Sequence, residues 1–322
     1  MKNNILFIFI FFISCVEHKF SFIVSPNGTY NVEYIAHGDR SDLEDLDFVM
    51  PYGNKWNIIS TLDSIEAESY DYSAQKKFNK NEIFPSTFYK GDSLYNESLL
   101  KHNIQVKYLN WFFGKKYKFE VTFQGRKVIN KYPLVLGILE DSESPSKDWI
   151  KQALKYLLFE TVNLTDVEWN IRPIMESELN NWIKTELYFL SDSIIFEEFD
   201  YYKNLGLDII MQPISPVYYD TMDSIFKSLE DELRVTIDLM NDEFDFKLIL
   251  PGILKYTDAD SIKGDTLFWS FGIENYINDD YVLNAVSSIN YPKRQILGVI
   301  LLFLSCFLII KKNKKFKYGK NF

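Results

Sequence analysis

The chain has 322 residues, 47% of them hydrophobic and 17% aromatic, with a formal net charge of −10. That is enough apolar material for one large or two ordinary packed domains, and it excludes a disordered chain. All 45 Asp and Glu lie between Cys15 and Pro292 with 26 of the 35 Lys and Arg, so this stretch carries −19. So acidic a surface excludes nucleic acid as a partner and stands off from anionic headgroups unless divalent ions intervene.

At the start, Lys2 lies in a short positive region, and Ile5 to Ile13 form an apolar run of nine residues. This predicts a secretory signal peptide over 1–14, outside the fold. The residues Phe12-Ile13-Ser14-Cys15 resemble the lipobox of bacterial lipoproteins, with Phe12 where Leu is usual. The resemblance implies cleavage before Cys15 and a diacylglyceryl group, with its palmitate-type chains, on the Cys15 sulfur. Cys306 is the other cysteine of the chain, so the exported part has no disulfide framework, thiol nucleophile or Cys-based metal site.

Residues 15–140 read as β-rich. Phe20, Phe22 and Val24 alternate with polar neighbours, Pro26-Asn27-Gly28 turns the chain, and Tyr30, Val32 and Tyr34 alternate on the way back. Asn-Gly between alternating runs predicts a hairpin. Trp56 to Leu62 reads as a strand, residues 63–102 show no clear period, and Ile104, Val106 and Tyr108 resume the alternation. Tyr117, Phe119, Val121 and Phe123 oppose Lys116, Lys118, Glu120 and Thr122, one face buried and one wet as in an antiparallel sheet.

Residues 141–231 read as helical. Ser144-Pro145-Ser146 introduces a helix with Trp149, Ala153, Tyr156 and Leu157 inward, and one long helix is expected to carry Met175, Leu179, Trp182, Ile183, Leu187, Leu190 and Ile194. Ser215 before Pro216 predicts a capped third, with Met222, Ile225, Phe226 and Leu229 inward. From 232 to 292 strands return. Val235, Ile237 and Leu239 lead through Asn241-Asp242 into Phe244, Phe246, Leu248 and Leu250 as an expected second hairpin, and Thr266 to Phe271 and Tyr281 to Ser287 complete the sheet. Strands, helices, strands predicts α+β: antiparallel sheets from the two ends with a central helical segment, either layered on one shared sheet or set beside it.

The run Ile296 to Ile310 holds fifteen uncharged residues between Lys293-Arg294 and Lys311-Lys312. At about 1.5 Å per residue it covers roughly 22 Å, short of a hydrocarbon core of about 30 Å, but flanking basic side chains extend it by keeping their charge among headgroups. A transmembrane helix is therefore predicted over 293–311. Six lysines follow the apolar run and two basic residues precede it, so the tail, 312–322, is expected in the cytoplasm and the rest outside.

A Cys in a lipobox, a few polar residues, a Pro-Asn-Gly hairpin and a C-terminal span with a basic tail together resemble LppM-type envelope lipoproteins. Leu250-Pro251-Gly252, Thr257-Asp258-Ala259-Asp260 and Gly264 to Trp269 resemble segments of membrane-anchored lipoproteins of that kind. The resemblance covers the two ends and leaves the helical middle unmatched. It implies a membrane-tethered α/β domain that binds lipid or glycolipid, with Cys15 alone carried over as a functional position.

No catalytic constellation emerges. His18, His37 and His102 are far apart in sequence. His37 stands near Asp39, Asp42 and Glu44, which read as a solvated acidic loop before a metal site. Asp258, Asp260 and Asp265 fail the calcium-loop pattern, with Ile262 at a ligand position and Trp269 where the closing Glu belongs, so turn chemistry is expected of them. Asn27, Asn96 and Asn163 open glycosylation triplets that matter only in a eukaryotic cell. No metal, cofactor or catalytic residue is assigned. The expected function is a non-catalytic binding module for an apolar or lipid-type envelope ligand, with the bilayer as its first partner. The alternatives are a scaffold for an envelope protein and, third, a carboxylate-dependent hydrolase.

Overall fold

The computed structural model describes residues 16–39, 43, 47–62, 69–90, 93–97, 99–139 and 148–318. The expected signal peptide, Cys15, Asp42, Glu44 and the Ser144-Pro145-Ser146 helix start lie outside the described residues.

Inward aromatic alternation builds the strands. In β1 (Glu17–Val24) His18, Phe20, Phe22 and Val24 are buried and the residues between them are not. The chain turns at Ser25–Thr29, where Gly28 has φ 88° and Asn27 Oδ1 accepts from the Thr29 amide at 3.0 Å, and returns as β2 (Tyr30–Asp39). Only Gly28 of the Asn-Gly pair takes positive φ among the described residues. The Asn27 side chain instead closes the loop. A seven-stranded sheet follows, in the order β11 (Ser261–Lys263), β12 (Thr266–Phe271), β9 (Glu243–Ile249), β1, β2, β4 (Ser69–Phe78), β3 (Asn57–Leu62). A four-stranded sheet has the order β10 (Ile253–Thr257), β13 (Tyr281–Asn290), β8 (Gly114–Phe123), β7 (His102–Trp111), and β5 (Thr87–Lys90) pairs with β6 (Ser93–Glu97) as a separate hairpin.

The two larger sheets face each other across aromatic rings. Phe22 meets Phe119 edge to face at 5.1 Å between centroids, and Phe123 meets Phe271 at 5.1 Å and Phe244 at 5.3 Å. Such pairs each add about 0.5–1.5 kcal/mol beyond their burial. The aromatic excess in the composition is spent here.

The helices are α1 (Val128–Lys131), α2 (Leu136–Leu139), α3 (Trp149–Leu164), α4 (Arg172–Thr185), α5 (Asp192–Glu197), α6 (Phe199–Met211), α7 (Tyr219–Asp238) and α8 (Pro292–Tyr318). From α3 to α7 they pack mainly on one another, around Leu154, Leu157, Leu158, Met175, Leu179, Ile210 and Phe226. They stand at one end of the sandwich and cover neither sheet. The architecture is α+β, as the strand–helix–strand order predicts.

Four expectations about elements fail, each for a local reason. Val235, Ile237 and Leu239 are not a strand: the first two lie in α7, and Leu239–Asn241 is a 3-10 turn closed by the Asp242 amide on Leu239 O at 3.3 Å. A twenty-residue helix propagates through a three-residue alternation because each added residue brings one more bond. β9 therefore forms no hairpin with that segment and runs parallel to β1, reached from β8 of the other sheet through the helices. The long helix expected over 175–194 breaks after Thr185; Ser191 caps α5 by accepting from the Ile194 amide at 3.4 Å. Ser215 is extended ahead of Pro216 but its side chain makes no cap bond. The unassigned region holds β4, which joins β2 to β3; only Tyr72, Ala74 and Phe78 face inward among polar neighbours, which hides its period.

Candidate functional site

The ladders bring His18 and His102 to the same end of the sandwich. His18 pairs with Phe244 in the β1–β9 register, which sets it beside Asp242 just before β9. His18 Nδ1 is 2.8 Å from the Tyr34 hydroxyl, and His18 Nε2 is 3.6 Å from Asp242 Oδ2. Its ring stacks on Phe244 at 4.7 Å and lies 5.1 Å from Phe48; His102 lies 4.8 Å from the other side of Phe48. Asp47 is buried there too, and its carboxylate accepts from the Phe48 amide.

Burial pushes the Tyr34 hydroxyl well above its ordinary range, helped by Tyr72, Asp47 and Asp242, and does the same to Tyr276, helped by Asp242 and Asp47 against Arg126. Both therefore keep their protons at any physiological pH. Burial also lowers His102 to about 4, against a partly offsetting bond to Leu100 O at 3.1 Å. It is neutral at neutral pH. Arg126, 5% exposed, donates to Thr236 Oγ1 at 2.7 Å, Glu232 O at 2.7 Å and Leu99 O at 3.2 Å, tying the strand-side loop to α7.

An open concavity of about 350 Å³ adjoins this cluster, with Asp242, Glu243 and Glu274 on its wall. Glu274 Oε1 accepts from the Gly272 amide at 3.0 Å, and Asp242 faces His18. Both carboxylates thus have partners at this end of the sandwich, that of Glu274 in the turn after β12 and that of Asp242 on β1. Sequence reading missed the cluster because 224 positions separate His18 from Asp242; only the parallel β1–β9 register joins them.

The other predicted residues separate. His37 lies exposed on the outer sheet face, with Nδ1 2.7 Å from Asp71 Oδ1 of β4. Asp258 Oδ1 accepts from Trp269 Nε1 at 2.9 Å and from the Asn284 amide at 2.8 Å, and Asp260 Oδ2 from the Ser270 amide at 2.8 Å. Asp258 thus clasps the two sheets together, which is a structural use of a carboxylate. Among the described residues no three of His, Cys, Asp and Glu gather as a metal-binding group.

An engulfed ligand needs a chamber, and the sandwich interior is packed with rings in mutual contact, Phe20 with Phe246 at 4.7 Å and Phe22 with Phe119 at 5.1 Å between centroids. Four concavities stand out among the described residues, and all open to solvent; one of about 410 Å³ is lined by Ser21, Asn31, Glu33, Gln75 and Lys77 on the outer face of the large sheet. Apolar surface is instead displayed on the helices and their connections. Trp169 is 88% exposed, Phe189 76% and Tyr188 71%, the last two as an edge-to-face pair at 5.5 Å. The Lys151 ammonium lies 6.0 Å from the Tyr188 ring and donates to Leu190 O at 2.9 Å, which fixes that corner.

At the other pole of the chain, α8 carries an apolar stretch, Pro292–Ile310, none of it buried. It is the one helix among the described residues long and apolar enough to cross a membrane. Cys306 lies exposed on it.

No protein-family model matches the chain, and no curated protein does. Among solved structures it is similar to the NMR structure of the folded domain of Mycobacterium tuberculosis LppM, at 8% identity over 87% of this chain and 93% of that one. The TM-score is 0.32, a likeness too loose to carry fold or function from that protein to this one.

Proposed function

We propose that this chain is a membrane-anchored, non-catalytic lipoprotein domain that binds its ligand on an open surface on the outer side of a cell-envelope membrane. Cys15 is the lipid-attachment residue in this reading, α8 is the span, and the tail over 312–322 is cytoplasmic. The six lysines beyond the apolar run support that orientation. The observation that carries the binding role is the displayed edge-to-face pair of Tyr188 and Phe189 beside Lys151, set against an interior packed with aromatic rings. Large rings left in water side by side mark a contact surface.

A lipid-type ligand, as the family resemblance implies, would lie along these rings instead of inside the sandwich. The scaffold reading, with an envelope protein as partner, draws on the same surface; exposed aromatic rings are frequent anchors of protein contacts. Net charge on α3 to α7 supports a partner that is not nucleic acid, since residues 148–238 hold 18 Asp and Glu against seven Lys and Arg.

The test is photo-crosslinking in intact cells with a benzophenone amino acid at Phe189. A lipid adduct supports the ligand reading, and a discrete protein adduct supports the scaffold. Adducts to neither, with labelling no greater than at exposed Lys227, would remove the binding role.

A further inference from the structure

The turn between β7 and β8 is built from three consecutive aromatic residues, Trp111, Phe112 and Phe113, all exposed, Phe112 at 54%. A solvated hairpin turn is normally made of small polar residues. This one lies against the start of α8. The Tyr291 amide donates to Phe113 O at 2.9 Å, and the Arg294 guanidinium sits 4.6 Å from the Tyr291 ring and 5.8 Å from that of Phe112. The Phe113 ring reaches further along the helix, to Gly298: a Cβ added there would come within 2.5 Å of Phe113 Cε1. Gly298 is six residues past Pro292, about 9 Å along the axis, and inside the apolar run. A bilayer that takes in that run takes in the Phe113 ring with it.

The ladders place the rest of this end at the same level. Gly114 of β8 pairs with Asn290 of β13, and Lys115 Nζ and the Tyr117 hydroxyl both donate to Pro26 O at 2.8 Å, joining the β1–β2 turn to the hairpin base. Lys80, Lys116, Lys263, Lys293 and Arg294 are exposed at this end, against Glu82 and Asp265. The overall acidity of the chain is therefore not shared evenly: the pole beside α8 is cationic and the helical pole acidic.

We infer that the Trp111-Phe112-Phe113 hairpin is a second membrane contact, inserted in the headgroup layer beside α8 so that the sandwich stands on the bilayer with its helices pointing away. The occupant is the phospholipid surface itself. Aromatic rings favour the interface, where an apolar body and a polar edge are both satisfied, and the flanking cations face the phosphates. The inference rests on the reading of α8 as a span.

The experiment uses the full chain with Cys15→Ser, so that α8 is the one anchor, in vesicles of phosphatidylglycerol and phosphatidylcholine brominated near the top of its acyl chains. Of the other five tryptophans, Trp56, Trp182 and Trp269 are buried, Trp149 opens α3, and Trp169 lies exposed in the α3–α4 connection at the helical pole, away from the bilayer in this orientation. Bromolipid should therefore quench one component of the emission, and Trp111→Phe should abolish that loss. Phe112→Ser should reduce it while near-ultraviolet circular dichroism stays unchanged. Equal quenching in the parent chain and Trp111→Phe, or none in either, overturns the inference while the protein stays with the vesicles through an alkaline carbonate wash. Release by carbonate overturns the span itself, and the hairpin contact with it.

Discussion

His102 carries a cost of burial at the scale of one residue. Its Nδ1 donates to Leu100 O while Nε2 is buried with no hydrogen-bond partner, although an edge of the residue reaches solvent. Its folded pKa, about 4, lies below the ordinary 6.5. As pH falls through 6.5 the unfolded chain takes up a proton that the folded chain refuses until about 4, so stability is full above that window and is lost on descending it. Allowing for the partial exposure, the loss is about 2 kcal/mol. His102→Phe, which keeps a ring between Phe48 and Phe123, should flatten the dependence of the unfolding midpoint on pH across this window. Parallel pH profiles for the two proteins would show that another group sets the dependence.

Between elements, Arg126 is the main polar tie of the sandwich to α7. Its guanidinium serves three acceptors in fixed directions, Thr236 Oγ1, Glu232 O and Leu99 O, and Lys131 adds an ion pair to Glu232. A planar fork does this and a lysine ammonium does not, so the substitution conserves charge but not geometry. Arg126→Lys should cost about 2–3 kcal/mol, because buried acceptors lose their donors. Urea denaturation in detergent measures it; a midpoint equal to the parent's would mean that the contact contributes no net stability. The tie also explains why α7 continues to Asp238, past the expected end of the helical middle: Thr236 must remain helical to present its hydroxyl to Arg126.

For the whole molecule, the prediction concerns two anchors. Cys15 and α8 lie at opposite ends of the sequence, and each is expected to hold the chain at a membrane. In phase partitioning with a cloud-point detergent, the full chain, the Cys15→Ser chain and a chain ending at Tyr291 should all enter the detergent phase. A chain with both changes should pass to the aqueous phase. If ending at Tyr291 alone releases the protein, Cys15 bears no lipid; if the doubly changed chain stays in detergent, neither end accounts for the anchoring.

Several features were legible in the sequence because they depend on local order alone. The alternation of Phe20 to Val24 and of Tyr117 to Phe123, the turn at Gly28, the apolar run of α8 and the α+β order follow from side-chain period and backbone preference. What the tertiary structure decided involves distant residues. The parallel pairing of β1 with β9 sets His18 beside Asp242, the register of β8 with β13 sets Phe113 against Gly298, and Asp258 finds Trp269 and Asn284 on different sheets. A one-residue slip in any of these ladders would turn every side chain to the opposite face, and no local pattern fixes which strand meets which. Charge shows the same division: the acidic excess of the helical segment is a sum over contiguous sequence, but the cationic pole beside α8 gathers Lys80, Lys116, Lys263, Lys293 and Arg294 only when the chain folds.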